Sequence, residues 1–293
     1  MNWPSTPSLV IEQTRYQVLT FVRSPVGMFF TLGLPIFMLV LFNSLFGDGM
    51  VQTDGGAWSV QQFYTGGLAA FTAVSATYTN LVNIVPIRRD EGILKRWRST
   101  PIPPGVYLSG WILGALAIAV LGVVLQLGLG LLVYDLTIEV AKIPAMILTF
   151  VVGVSAFAAL GLALAGIVPN ADSAPAVANA TILPLAFISD VFIPLDDPPR
   201  WLDLIGDVFP LKPFVNAFQD TLNPFVEAPA IGWSKLAVVA AWGIAGALLA
   251  TKTFSWEPST GAGRTRTRSR RARGSRGDGS ADGPVDDAVQ ASA

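Results

Sequence analysis

The ionisable residues of this chain gather, outside its C-terminal tail, in the run Arg88-Arg89-Asp90-Glu91-Gly92-Ile93-Leu94-Lys95-Arg96-Trp97-Arg98-Ser99-Thr100-Pro101. Guanidinium, ammonium and carboxylate groups so close together make charge-assisted hydrogen bonds, which recognise a surface rather than break a bond. On a helix, Ile93, Leu94 and Trp97 form a narrow apolar stripe, and Arg88, Arg89, Lys95 and Arg96 cluster opposite. Glu91 and Lys95 sit at the favourable i, i+4 spacing. Pro101, Pro103 and Pro104 stop the helix and leave a compact knob, its apolar anchor and charged rim suited to docking on a protein partner. Other chemistry is excluded by residue type. The chain has no cysteine and no histidine, which removes thiolate and imidazole metal sites, disulfides, Cys nucleophiles and Ser–His catalysis. A phosphate-binding P-loop needs Gly before its Lys, and Lys95, Lys142, Lys212, Lys235 and Lys252 follow Leu, Ala, Leu, Ser and Thr.

The elements that must hold this knob are apolar and long. Residues 25–47, 55–87, 99–134, 143–171 and 173–189 contain no Asp, Glu, Lys or Arg, and 236–251 is bracketed by Lys235 and Lys252. About twenty apolar residues cross a bilayer as a helix. The expected fold is therefore an all-α integral membrane protein with six transmembrane helices, near 26–46, 61–85, 107–133, 144–168, 176–194 and 233–252. With the N-terminus inside, only Lys142, Arg200, Lys212 and Lys235 of the 19 basic residues fall outside. That asymmetry follows the positive-inside rule and places both termini in the cytoplasm. The domain reading is an N-terminal interfacial helix in 1–25, a six-span membrane domain in 26–256 and a tail in 257–293. No cleavable leader is expected, because the first apolar span is too deep and too long.

Finer features qualify these elements. In 8–23, Val10, Ile11, Val18, Phe21 and Val22 share a helical face with Thr14, while Glu12, Gln13, Gln17, Thr20 and Arg23 lie opposite. Such a helix lies in the headgroup plane or packs on a partner. Asn80 and Asn83 read as interhelical hydrogen-bonding groups, with substrate contact the lesser alternative, and Gly110, Gly114, Gly122, Gly128 and Gly130 as close helix contacts. Pro184 favours a kink in span five. Trp201, Leu202, Leu204, Ile205, Val208 and Phe209 share one face of a short outer helix, and Phe214, Phe218 and Leu222 follow at four-residue spacing. The tail holds seven arginines between 264 and 276 and then Asp278, Asp282, Asp286 and Asp287. It reads as disordered, either drawn to anionic inner-leaflet lipid or simply solvated; no nucleic-acid partner is expected.

The run from Arg89 to Tyr107-Leu108-Ser109-Gly110 resembles the cytoplasmic loop of type-2 ABC exporter permeases, the daunorubicin-resistance-like group. The resemblance continues at Pro169-Asn170-Ala171-Asp172-Ser173-Ala174, at Leu183-Pro184-Leu185-Ala186-Phe187-Ile188-Ser189 and Phe192-Ile193-Pro194, and through Pro199-Arg200-Trp201-Leu202 to Phe209-Pro210-Leu211. It covers roughly residues 8–255. It implies the membrane subunit of an ATP-driven exporter in the bacterial cytoplasmic membrane, paired with a second copy or a homologous permease. A separate ATP-hydrolysing subunit would hold ATP and Mg, so no cofactor is expected in this chain. The coupling helix would be the knob, with Arg88, Arg89, Glu91, Gly92, Lys95, Trp97 and Arg98 as coupling residues. Short re-entrant outer helices would form the gate, expected at Pro184, Asp190, Trp201, Phe209, Phe214 and Phe218. Asp190 departs from the Gly common in that family, and the Arg-rich tail is an addition. The implied cargo is a drug, lipid or other amphiphile. A membrane-embedded lipid-processing enzyme and a proton-driven transporter are the alternatives; both need ionisable groups within the spans, where this chain has almost none.

Overall fold

The computed structural model describes residues 5–47, 49–53, 56–98, 104–194 and 198–254. The side chains of Thr53, Trp97, Arg98 and Pro104, the prolines Pro101 and Pro103 and the tail 257–293 lie outside the described residues. Among the described residues ten helical elements follow one another: α1 (Thr6–Val22), α2 (Pro25–Phe46), α3 (Val60–Asp90), α4 (Ile93–Arg98), α5 (Pro104–Val133), α6 (Ile143–Ile167), α7 (Ala174–Phe187), α8 (Arg200–Val208), α9 (Leu211–Asp220) and α10 (Trp233–Thr253). Between α2 and α3 stands an antiparallel hairpin, β1 (Met50–Thr53) and β2 (Gly56–Ser59), with Val51 opposite Trp58. So short a pair leaves too few residues for period-two alternation to show in the sequence, and the expectation of a purely helical chain missed it.

Five helices, α2, α3, α5, the α6 region and α10, are long and apolar enough to cross a membrane. The chain is thus a multi-pass membrane protein of mostly helical structure. The expected fifth span, 176–194, is instead the 14-residue α7, about 21 Å at 1.5 Å per residue, against a hydrocarbon core of about 30 Å. Irregular backbone with Asp190 at φ +56° follows it.

The buried core centres on α3. Nearly all of its residues from Val60 to Tyr78 are covered, by α2, α5, α6, α7 and α9. It starts where the Ser59 hydroxyl accepts the Gln62 N–H at 3.3 Å, and π-helical geometry at Ser75–Thr79 widens its middle. A second such turn, Phe29–Gly33, precedes Pro35 in α2, where proline's missing N–H interrupts the α-helical ladder. Small residues set the helix spacings: a Cβ at Gly243 or Gly246 of α10 would lie within 2.8–2.9 Å of Ala156 or Leu160 of α6. Of the five glycines expected at close contacts in α5, four meet a neighbour; Gly128 faces open space.

Polar groups inside the bundle are few and mostly paired. Gln126 Nε2 donates to Thr72 Oγ1 at 2.9 Å, and Tyr78 Oη lies 2.7 Å from Thr181 Oγ1. Asn83, expected to bridge helices, donates instead to the Thr79 carbonyl of its own helix at 2.9 Å.

The first helix keeps Val10, Val18 and Phe21 half-buried and Glu12 and Arg23 exposed, but departs from its sequence pattern at Ile11 and Gln13. Ile11 is 66% exposed and Gln13 only 8%. The cause lies in α5: Gly110 and Gly114 leave a groove that the aliphatic stems of Gln13 and Gln17 fill, and a Cβ at Gly114 would meet Gln17 Cβ at 2.8 Å. Long polar side chains bury their methylenes where small residues make room.

Candidate coupling and gating elements

The knob at the C-terminal end of α3 is two helices rather than one. Glu91 and Gly92 form a turn with Gly92 at φ +72°, a left-handed conformation that glycine adopts without penalty and that no α-helix contains. The amide of Arg96 then donates to the Gly92 carbonyl at 3.1 Å as α4 begins. The expected Glu91–Lys95 pair gives way to Arg88–Glu91, 3.3 Å apart, since Glu91 no longer belongs to the helix of Lys95.

Leu94 anchors the knob by pointing into the membrane domain. It is fully buried in a cluster with Leu81, Val85, Tyr107, Trp111 and Leu162; the Tyr107 and Trp111 rings stand 4.7 Å apart. Ile93 is half-buried, and Glu91, Lys95 and Arg96 are exposed. The expected apolar stripe is thus directed inward at Leu94, and the knob offers charge outward. The side chains of Trp97 and Arg98 lie outside the described residues.

Arg89, expected in the charged rim, is 5% exposed. Its Nη2 donates to the carbonyls of Val168 at 2.8 Å and Pro169 at 3.2 Å. Asp90, which sequence reasoning did not single out, accepts the Ala171 N–H at Oδ2, 2.8 Å away. The polar partners come from the loop between α6 and α7, so burial satisfies the charge rather than stranding it.

The expected gate residues separate in space. Phe214 and Phe218 are fully buried in the core; Phe214 lies against Gly153, where a Cβ would overlap its ring, and packs 5.7 Å from Phe157. Pro184 is exposed within α7. Trp201, with Leu204 and Val208, is exposed on α8. Phe209 stacks on Trp242 of α10 at 5.5 Å, and Trp242 Nε1 donates to the Val208 carbonyl at 2.7 Å. Asp190 contributes its main chain: its carbonyl accepts from Gln219 Nε2 at 3.3 Å, and the same amide group reaches the Phe63 carbonyl at 3.3 Å. Gln219 thereby ties α3, α9 and the segment after α7.

Charge fastens the outer elements. Lys212 of α9 bridges Asp203 and Asp207 of α8, the latter at 3.1 Å. Burial works against its ammonium form, but hydrogen bonds and charge from both aspartates outweigh that and hold its pKa above the ordinary lysine value. Lys142, read in the sequence as a plain outer-loop charge, is fully buried and donates to Glu139 at 2.6 Å and to the Asn223 carbonyl at 2.9 Å. Its i, i+3 spacing from Glu139 was the one signal available. Gln62 donates to Thr137 Oγ1 at 2.6 Å, so α3, the loop before α6 and the turn after α9 form one cap at the end of the bundle opposite the knob.

The charged knob is thus seated on an apolar anchor at one end of a bundle of long apolar helices. The chain belongs to the ABC-2 type transporter family, which it matches over residues 10–223. Among individual relatives, it is 24% identical to the daunorubicin resistance ABC transporter permease protein DrrB1 of Streptomyces coeruleorubidus over 70% of this chain and 72% of that one. It is 26% identical to the transport permease ycf38 of Cyanophora paradoxa, covering 64% and 65% of the two chains. To the transport permease YvfS of Bacillus subtilis it is 22% identical, covering 68% and 79%.

Proposed function

We propose that this chain is the membrane-embedded subunit of an ATP-driven exporter that works as a dimer and takes its energy from a separate ATP-hydrolysing subunit. The carrying observation is the exposed Glu91, Lys95 and Arg96 on a knob that Leu94 fixes to the end of the central helix, in a chain of the ABC-2 type family. Closure of the ATPase subunits would push on this surface, and tight packing along α3 would carry the displacement outward. In this reading α7 with residues 188–194 completes a sixth crossing of a bacterial cytoplasmic membrane, and both termini face the cytoplasm. The segment 199–222 forms the outer gate, hinged near Phe209 and Pro210. An amphiphilic drug or lipid is the cargo class, in keeping with the resistance permease among the relatives.

Two measurements test this. The chain has no cysteine, so Lys95→Cys supplies a single thiol whose reaction with an impermeant maleimide reports its side of the membrane; labelling from outside intact cells refutes the topology. Co-purification with the candidate ATPase in lipid nanodiscs tests the partner. Glu91→Lys is expected to insert normally yet lose most cargo-stimulated hydrolysis, and full stimulation would remove Glu91 from the docking surface.

A further inference from the structure

The inner end of the bundle contains a linkage that docking does not explain. Arg89 and Asp90 make three hydrogen bonds to the main chain of residues 168–171, across 79 to 81 positions of sequence. Bonds to backbone hold that loop's path whatever its side chains, and buried charge-assisted bonds are costly to leave unmade. On one side of the brace lie Glu91 and Gly92, the turn that opens the knob. On the other, the loop leads directly into α7, with Asn170 Oδ1 accepting the Ser173 N–H at 2.9 Å just ahead of it.

We propose that Arg89 and Asp90 are positioning residues that make the α4 knob and the loop 168–173 move as one body, so that a push on the knob reaches α7 directly as well as through α3. The inference rests on the proposed function and reassigns Arg89 from partner contact to internal brace. Burial of Arg89 keeps it from a partner's surface, whereas Lys95 and Arg96 are exposed.

Spin labels at Lys95→Cys and Asp172→Cys in the full chain, bound to its ATPase in nanodiscs, report the knob-to-loop distance. With the brace intact, one narrow distance is expected, unchanged between the nucleotide-free and the ATP–Mg–vanadate states. With Arg89→Gln and Asp90→Ala together, a second population is expected that appears only with nucleotide, while the ATPase still co-purifies. Arg89→Lys, which keeps the charge, should restore most of the narrow distribution. If the double variant does not fold, Asp90→Ala alone removes the Ala171 bond and carries the same readout. A nucleotide-dependent distance in the intact chain overturns the brace, as does an unchanged narrow distance in the variants or loss of the ATPase from them. If the unlabelled native chain retains no ATPase, the proposed function itself fails, a separate result that takes the brace with it.

Discussion

Replacing Leu94 with alanine tests the anchoring of the knob most directly. Its side chain is fully buried against Leu81, Val85, Tyr107, Trp111 and Leu162, a wall shared by three long helices that has little freedom to collapse. Buried Leu→Ala changes of this kind cost about 2–5 kcal/mol. With about 1.4 kcal/mol per decade, the docked-to-undocked ratio of the knob should fall by roughly 30- to 3000-fold. Because α4 has only six residues, too few to hold a helix in water unaided, undocking should also unwind it. Hydrogen exchange of amides 93–98 in nanodiscs reads this out: faster exchange there, with α10 amides unaffected. Ile93→Ala, at a half-buried neighbour, should produce a much smaller change. Equal exchange in wild type and Leu94→Ala, or an Ile93→Ala effect as large, would refute the inward anchor.

Three further perturbations probe the outer half. Gly153→Val drives a side chain into the Phe214 ring and should lower stability by about 1–3 kcal/mol through overpacking, seen as a lower midpoint in thermal unfolding; Gly128→Ala, facing open space, should leave the midpoint in place. Asp190 holds φ +56°, which Asp tolerates better than branched residues, so Asp190→Gly should be neutral while Asp190→Val costs about 1–3 kcal/mol in strain. The Lys212 clamp has a pH signature. Its folded pKa lies above the ordinary 10.5, so its stabilisation is complete below that pH and disappears as pH climbs through the raised folded value. The gap in unfolding midpoint between wild type and Lys212→Met should therefore be constant from pH 7 to about 9.5 and shrink toward pH 12; a gap that widens there would contradict the clamp.

What the sequence disclosed followed from one-dimensional rules. Charge-free runs locate α2, α3, α5, α6 and α10 because a bilayer admits little else, and the break between α8 and α9 falls at Phe209 and Pro210. What it concealed depends on partners distant along the chain. Gln13 is buried because Gly110 and Gly114 vacate space on another helix, which the amphipathic pattern of residues 8–23 cannot reveal. Arg89 is indistinguishable from Arg88 in sequence, yet Arg89 is buried where two carbonyls of the α6–α7 loop accept its guanidinium, while Arg88 stays partly exposed beside Glu91. Phe214 and Phe218 keep a helical spacing that suits a gate and a core equally; the structure buries both, Phe214 against Gly153. The helix of the fifth expected span ends at Phe187, because an uncharged run sets only an upper bound on helix length; the left-handed residue at 190 marks backbone that a helix cannot continue through.

The two ends of α3 explain why one helix serves both faces of the bundle. At its outer end Gln62 binds Thr137, and the Phe63 carbonyl takes the amide of Gln219; at its inner end Arg89 and Asp90 hold the loop before α7. Between them nearly all side chains from Val60 to Tyr78 are covered, so sliding of α3 past its neighbours there opens voids whose linings lose their contacts. In the proposed function, motion imposed on α4 would pass along α3 to Gln219, the residue joining α3 to α9 and to the backbone of Asp190. Gln219→Leu keeps the packing volume but removes both bonds, so it should leave the inner knob and ATPase binding intact while uncoupling outer-gate movement from nucleotide state. Spin labels on α9 and on the β-hairpin would register the loss; a nucleotide response equal to wild type would show that the outer end is driven by α7 alone.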